Sequence, residues 1–256
     1  NLGVMMPLLE NRCYVIAEFG SSHLGDKQAA LDSIQAAGRA GADAWKGQLF
    51  RLADILIDPS QGDPRTEMPP EWIPDLAAMS REMRIDFLCT PFAPWAVEAL
   101  NPYVQMWKIG SFEHARQDIW DAVKATGKPI IASCGRGEPE TNHWKYPTHS
   151  LYCVSKYPAL DSDIYLPNFG EGDSGGFSDH TISTVLPALA VARGARIIEK
   201  HFRLDETPTD SPDYPHSLNP SQLAEMIANI RLAETVCRRQ PPATQELAVF
   251  PNRREA

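Results

Sequence analysis

The chain is organised around Gly176-Phe177-Ser178-Asp179-His180-Thr181 and, one strand later, Ile198-Glu199-Lys200-His201-Phe202. The two histidines stand 21 positions apart, about the length of a strand, a helix and the return to the next strand. Each histidine would then end its own strand, beside the other. Strand alternation puts Ile197, Glu199 and His201 on one face, where a carboxylate and an imidazole are costly to bury unless something binds them. The pattern predicts a metal site.

Each histidine taken alone has a second interpretation. His180 could begin a helix that Ser178, Asp179 or Thr181 caps. His201 could be a hydrogen-bonded histidine of the core. Two histidines at matching ends of successive strands favour metal ligands, but both alternatives stay open at this point.

The composition is that of a soluble globular protein. The chain has 256 residues, 43% hydrophobic and 22% charged, which fits one barrel domain of about 250 residues. No apolar run approaches the roughly 18 residues of a membrane helix, and residues 1–12 lack the features of a signal peptide. We therefore expect a cytoplasmic protein with no membrane partner.

The net charge of -9 argues against a nucleic-acid partner, because binding to phosphate backbones needs clustered Lys and Arg. An anionic ligand must then be held by a few local cations. The five cysteines show no paired spacing, which favours reduced thiols over disulfides or a zinc site.

Hydrophobic patterns predict eight strands, and helical patterns lie between many of them. The predicted strands are 14–19, 43–48, 86–91, 106–111, 129–134, 150–155, 176–180 and 196–202. The predicted helices are 27–40, 72–83, 95–100, 118–125, 184–193 and 221–237. Such alternation predicts an α/β fold, a single-domain (β/α)₈ TIM barrel over residues 1–237. Residues 238–256 read as an exposed linker or tail.

Polar residues stand at the predicted strand ends, where barrel active sites are built. They include two lysines and a series of hydroxyls: Lys46, Thr90, Lys108, Ser111, Ser133, Ser155 and Ser178. Two inward lysines need more than one carboxylate to balance them, so a phosphate-bearing anion is the predicted ligand. The structural alternative pairs Lys46 with Glu18 and Lys108 with Glu113 or Glu199.

Short motifs follow one another in a fixed order along the strand ends. They are Ile16-Ala17-Glu18-Phe19-Gly20 with Ser22-His23-Leu24-Gly25, Ala42-Asp43-Ala44-Trp45-Lys46-Gly47-Gln48, Thr90-Pro91-Phe92, Lys108-Ile109-Gly110-Ser111, Gly127-Lys128-Pro129, Tyr157-Pro158, Phe177-Ser178-Asp179-His180-Thr181 and Glu199-Lys200-His201-Phe202. This series resembles the sialic acid (N-acetylneuraminate) synthase family over about residues 14–234. The family condenses phosphoenolpyruvate with an amino-sugar aldehyde.

The resemblance implies a role for each matching residue. Phosphoenolpyruvate would be bound by Lys46, Thr90, Lys108, Ser111, Ser133, Ser155 and Ser178. His180 and His201 would bind a divalent metal ion, typically Mn²⁺, with Mg²⁺ or Co²⁺ as alternatives. Gln48 and Tyr157 would bind the acceptor, and the catalytic side chains would be Glu18, Glu113 and, facing the sugar, Asp213.

The chain also departs from the family pattern. Gly47 stands where an aromatic is usual and Leu24 where an Asn is usual, which bears on the shape of the pocket near the acceptor. The family's antifreeze-like domain, which caps a partner subunit's site, is expected to be absent, and a homodimer is expected. The proline-rich loops 59–74 and 208–220 are the predicted lid.

The predicted function is metal-dependent condensation of phosphoenolpyruvate with an N-acetylmannosamine-like aldehyde sugar, giving a 2-keto-3-deoxy sugar acid and phosphate. One alternative is a similar barrel enzyme that uses a sugar phosphate or a small aldehyde. A phosphorylated acceptor would need added cations, and the predicted acceptor loops, 51–71 and 207–217, contain only Arg51 and Arg65. A second alternative is a non-catalytic metabolite-binding barrel. Such a protein would be expected to lose its metal ligands or carboxylates before its phosphate ligands, whereas Glu18, Glu113, His180 and His201 are all present.

Overall fold

Eight parallel strands form the frame of the protein in a computed structural model that describes residues 12–135, 148–169 and 174–237. The strands are β1 (Tyr14–Gly20), β2 (Ala44–Leu49), β3 (Asp86–Pro91), β4 (Trp107–Ile109), β5 (Ile130–Cys134), β6 (Thr148–Cys153), β7 (Ser174–Asp179) and β8 (Ile197–His201). They pair in the order β3-β2-β1-β8-β7-β6-β5-β4, and β3 approaches β4 to complete the ring. The predicted (β/α)₈ barrel is confirmed.

Helices pack around the outside of the barrel. They are α1 (Lys27–Ala40), α2 (Leu52–Ile55), α3 (Ile73–Glu82), α4 (Pro94–Leu100), α5 (Gln117–Ala125), α6 (Leu186–Ala192) and α7 (Pro220–Cys237). The sequence predicts α1 to the residue because its ends carry clear signals. The Asp26 side chain accepts hydrogen bonds from the first turn, and Gly41 ends the helix at a φ of 90°.

The interior of the barrel is built in two layers. The lower layer is apolar and consists of Tyr14, Ile16, Ala44, Leu88, Met106, Ile131, Leu151 and Ile197. Two residues farther along each strand, alternation returns a side chain to the same interior. We call these upper side chains the polar layer: Glu18, Lys46, Thr90, Lys108, Ser133, Cys153, Ser178 and Glu199. The apolar layer therefore forms a floor beneath a polar chamber.

Alternate residues of each strand face outward and pack under the helices. Trp45 stacks on Phe87, with ring centroids 5.8 Å apart, and its indole NH donates to Ser33 Oγ at 2.8 Å. A Cβ at Gly47 would lie 2.8 Å from the Trp45 ring. Gly47 is therefore part of this outer layer, so the unusual glycine leaves room for Trp45 and does not line the polar chamber.

The predicted strand bounds are right to within a few residues. The main differences are at β4 and β6, which end two residues earlier than predicted, so Ser111 and Ser155 belong to the loops that follow. The predicted tail, 238–256, lies outside the described residues. Each helix in the described ranges is too short or too polar to cross a lipid bilayer.

Candidate active site

A cavity of about 310 Å³ opens at the carboxyl ends of the strands, above the polar layer. Its volume lies within the usual range for small-molecule sites. Every side chain predicted for the site lines this cavity except Ser155. Ser155 lies just behind it, and its hydroxyl donates to Ser111 Oγ at 3.1 Å. The structure thus brings the predicted residues together.

The two lysines of the polar layer lie between two carboxylates. Lys46 Nζ is 2.8 Å from Glu18 Oε2 and 3.6 Å from Glu199 Oε2, and Lys108 Nζ is 3.3 Å from Glu199 Oε1. Lys46 is 3% and Lys108 1% exposed. Of the pairings that the structural alternative allows, Lys46–Glu18 and Lys108–Glu199 are present. Glu199 bridges both lysines, which the sequence did not reveal.

Hydroxyl groups of neighbouring strands fix the charged groups. Lys46 donates to Thr90 Oγ1 at 2.9 Å, and Lys108 donates to Ser133 Oγ at 2.8 Å. Ser178 donates to Glu199 Oε1 at 2.9 Å. The ammonium groups therefore keep fixed positions, as a preorganised anion site requires.

The carboxylates of the polar layer differ in protonation. Burial raises the pKa of Glu18 to about 7, against the opposing effect of Lys46. Burial also opposes ionisation of Glu199, but Lys108 and Lys46 outweigh it and lower its pKa to about 2. Near neutral pH, Glu199 is therefore a permanent anion, whereas Glu18 can hold or release a proton.

A third carboxyl group, that of Glu113, lies at the rim of the cavity. Its side chain folds over Gly110, where a Cβ would overlap Glu113 Oε2, so the close approach requires glycine. Burial raises the pKa of Glu113. Glu18 and Glu113, which both have raised pKa values, therefore line the same cavity. Gln48 donates a hydrogen bond to Glu18 Oε1 at 3.0 Å.

The predicted histidine pair lies at one side of the cavity. The rings of His180 and His201 have centroids 5.6 Å apart. His180 Nδ1 donates to the Val154 carbonyl at 2.8 Å, which leaves Nε2 for another partner. Burial lowers the pKa of His180 to about 4 and the pKa of His201 well below its usual value, so both rings are neutral. Neutral imidazole is the form that binds metal ions.

Both alternative interpretations of these histidines are contradicted. No helix begins at His180, because α6 starts at Leu186. Instead Asp179 Oδ1 accepts a hydrogen bond from the Thr181 amide at 2.9 Å. His201 Nδ1 is buried and has no hydrogen-bond partner, so His201 is not a satisfied core residue.

The loop after β8 adds two side chains beside His201. Asp213 Oδ1 is 4.0 Å from His201 Nδ1 and 3.3 Å from His216 Nε2. Asp213 Oδ2 accepts hydrogen bonds from the Ser21 amide at 3.0 Å and from its hydroxyl at 3.2 Å. Gly20, with a φ of 58°, permits this approach, since a Cβ there would overlap Asp213 Oδ2.

Sequence reasoning identified Asp213 but missed His216. His216 is in the short turn Tyr214–His216 rather than on a strand, so strand alternation gives no sign of it. The available signal was its spacing of three residues from Asp213 in a loop already assigned to the site.

Aromatic side chains form one wall of the cavity mouth. The Tyr157 ring lies 4.2 Å from that of His180 and stacks on Phe112 at 6.0 Å. Phe112 is 50% exposed. The two predicted lid loops are joined by an ion pair of 3.0 Å between Arg65 and Asp210. Phe112 and Tyr157 line the cavity, and the second of these loops lines it through Pro212, Asp213 and His216.

Comparison with known proteins relates this site to a family. Residues 33–240 match the NeuB family. Spore coat polysaccharide biosynthesis protein SpsE of Bacillus subtilis is 32% identical over 254 residues, covering 86% of this chain and 67% of that protein. Pseudaminic acid synthase of Campylobacter jejuni is 30% identical over 258 residues, covering 88% and 75%. The crystal structure of N-acetylneuraminic acid synthetase from Leptospira borgpetersenii superposes with a TM-score of 0.83 at 27% identity, covering 92% and 88%.

Proposed function

The chain belongs to the NeuB family, and on that premise we propose that it condenses phosphoenolpyruvate with an aldehyde amino sugar, giving a 2-keto-3-deoxy sugar acid and phosphate. The observation that carries the proposal is the pair of buried lysines in the polar layer. They stand on a floor of apolar side chains and face a cavity at the carboxyl ends of the strands. That is where barrels place their substrates.

Charge balance supports an anionic substrate at Lys46 and Lys108. Glu18 and Glu199 balance the two ammonium groups. A phosphoenolpyruvate anion would compete with Glu18 for Lys46, and Glu18, with its pKa near 7, can take up a proton and give way. Glu199 would remain ionised and hold both lysines in place.

A divalent ion, Mn²⁺ with Mg²⁺ or Co²⁺ as alternatives, fits the histidine side of the cavity. His180 and His201 are the proposed ligands, and the fit rests on their neutral rings, of which His201 Nδ1 lacks a partner. When bound, the ion would polarise the aldehyde and orient it toward the enol carbon.

The proposed reaction makes a carbon–carbon bond and a bond between C2 and a water oxygen, and it breaks the bond between C2 and the phosphate oxygen, with the C2 hydroxyl proton leaving on phosphate. C3 of phosphoenolpyruvate bonds to the aldehyde carbon, and protonated Glu18 supplies the proton that the aldehyde oxygen acquires. Water adds to C2, and Glu113 accepts the proton that the water loses. Cleavage of the C2–phosphate ester bond then releases phosphate and leaves the keto group. Gln48 is the proposed residue that orients the acceptor, and its position in the cavity lining, hydrogen-bonded to Glu18, supports that role.

The charges around the cavity support an acceptor without a phosphate group. Arg65 is engaged by Asp63 and Asp210, and Arg51 lies over the Trp95 ring at 4.3 Å. Within the described ranges, the lysines and arginines that line the cavity are Lys46 and Lys108 alone, both assigned to phosphoenolpyruvate. A phosphorylated sugar would therefore lack a counter-charge.

The test is turnover with Mn²⁺, phosphoenolpyruvate and matched acceptors. N-acetylmannosamine and other unphosphorylated N-acetylated amino sugars are compared with their 6-phosphates, and keto acid and phosphate are followed together. We expect turnover with one or more unphosphorylated sugars. Preference for a sugar phosphate would refute the acceptor assignment, and binding of phosphoenolpyruvate without turnover on any aldehyde would support the metabolite-binding alternative.

A further inference from the structure

Three side chains beside the cavity, those of His201, Asp213 and His216, converge on one point. One ligand atom each from His201, Asp213 and His216 lies within 4.8 Å of the other two. His201 is 6% and His216 2% exposed. His201 Nδ1 and His216 Nδ1 have no hydrogen-bond partner, and His216 Nε2 meets Asp213 Oδ1 at 3.3 Å. Buried polar groups without partners are costly, so this arrangement indicates a ligand at their common point.

Asp213 is positioned to share in that ligand. Its Oδ2 is occupied by the amide and hydroxyl of Ser21, which fixes the carboxylate. Its Oδ1 faces both histidines, at 4.0 Å from His201 Nδ1 and 3.3 Å from His216 Nε2. Backbone and hydroxyl donors that orient a carboxylate in this way are typical of groups that support a metal ion.

We infer that Asp213 and His216 bind, together with His201, the divalent cation proposed above, with His216 as a ligand beyond the histidine pair predicted from sequence. The inference rests on the proposed function only for the use of that ion. Two imidazoles and a carboxylate suit Mn²⁺ or Co²⁺ and leave coordination positions open. His216 is thereby a determinant of which metal the protein holds and how tightly.

Binding of the metal alone tests this inference without any substrate. Calorimetry with Mn²⁺ and nitrogen couplings in the Cu²⁺ EPR spectrum are measured for wild type, His216→Ala, His180→Ala and His149→Ala. His149, half-buried at the amino end of β6, is a matched control outside the cavity. We expect His216→Ala to bind Mn²⁺ at least about tenfold more weakly and to lose one nitrogen coupling, with His149→Ala like wild type.

Wild-type affinity and couplings in His216→Ala, with a coupling lost in His180→Ala, would leave the ion bound by the histidine pair without His216 and overturn the inference. Anomalous diffraction from wild-type crystals soaked in Mn²⁺ covers the case in which His216→Ala does not fold. An ion within bonding distance of His216 supports the inference, and one remote from it refutes it. The reaction is judged separately, since a protein that binds Mn²⁺ through His216 but forms no keto acid overturns only the proposed function.

Discussion

Replacing Lys46 with Met distinguishes a lysine that binds substrate from one that merely neutralises a carboxylate. Lys46 Nζ lies 2.8 Å from Glu18 and 3.6 Å from Glu199, with all three side chains buried. Truncating one partner of a buried charge pair typically costs about 2–5 kcal/mol in binding. At 1.4 kcal/mol per tenfold, phosphoenolpyruvate affinity should fall at least about 30-fold.

Stability should respond to the same substitution in a pH-dependent way. Losing one partner of a buried ion pair costs up to about 3–5 kcal/mol, less here because Glu18 can be protonated. Below pH 7 Glu18 is protonated in the wild-type fold and in Lys46→Met, so the difference in free energy of unfolding between the two proteins does not change with pH. Above pH 7 Glu18 ionises only in wild type, beside Lys46. The difference should then widen by up to about 1.4 kcal/mol per pH unit.

Denaturant unfolding from pH 6 to 9 and calorimetry with phosphoenolpyruvate measure both effects. Lys46→Met combined with Glu18→Gln should recover stability above pH 7 but not affinity. Lys200→Met is a matched control, because Lys200 is equally buried but pairs with Asp179 at 2.7 Å outside the cavity. It should lower stability and spare phosphoenolpyruvate binding. Normal affinity in Lys46→Met would refute the assignment of the polar layer as the anion site.

Three further changes test other parts of the site. Gly110→Ala should displace Glu113 and lower kcat by about tenfold or more, while the affinity for phosphoenolpyruvate is kept. An unchanged kcat would argue against Glu113 as the base. The kcat/KM should fall as pH rises through about 7, where Glu18 loses its proton. Glu18→Gln should lower kcat about 10²-fold and abolish this pH dependence, and a fall that persists in the variant would assign it to another group. Asp179→Ala should lower the free energy of unfolding by about 3 kcal/mol because it leaves the Lys200 ammonium buried without its partner, and adding Lys200→Met should restore much of that loss. Equal losses in the single and the double variant would show that no buried charge is left behind.

The sequence predicted the fold and the polar layer because both depend on local periodicity. Glu18 follows the apolar Ile16 by two residues, and Lys46 follows Ala44 in the same way, so alternation along one strand was enough to place them. Ser155 was predicted from the same rule applied to a strand that ends two residues sooner, at Cys153. It therefore lies behind the cavity, where it reaches Ser111.

The remaining features depend on contacts between segments far apart in sequence. The position of His216 is set by the loop after β8, which is held where Leu218 bridges Phe202 and Asp213 meets Ser21. No periodicity within the loop encodes those contacts. The bridging role of Glu199 likewise needs Lys46 and Lys108 from two other strands. The homodimer stays a prediction.

The most direct test of the central claim is a mass-spectrometric account of the reaction in H₂¹⁸O, with Mn²⁺, phosphoenolpyruvate and N-acetylmannosamine or another reactive aldehyde sugar. The condensation proposed here predicts one phosphate per keto acid formed, dependence of both on the aldehyde, and phosphate free of ¹⁸O, because water attacks carbon rather than phosphorus. Phosphate release without the aldehyde, or phosphate that carries ¹⁸O, would contradict it.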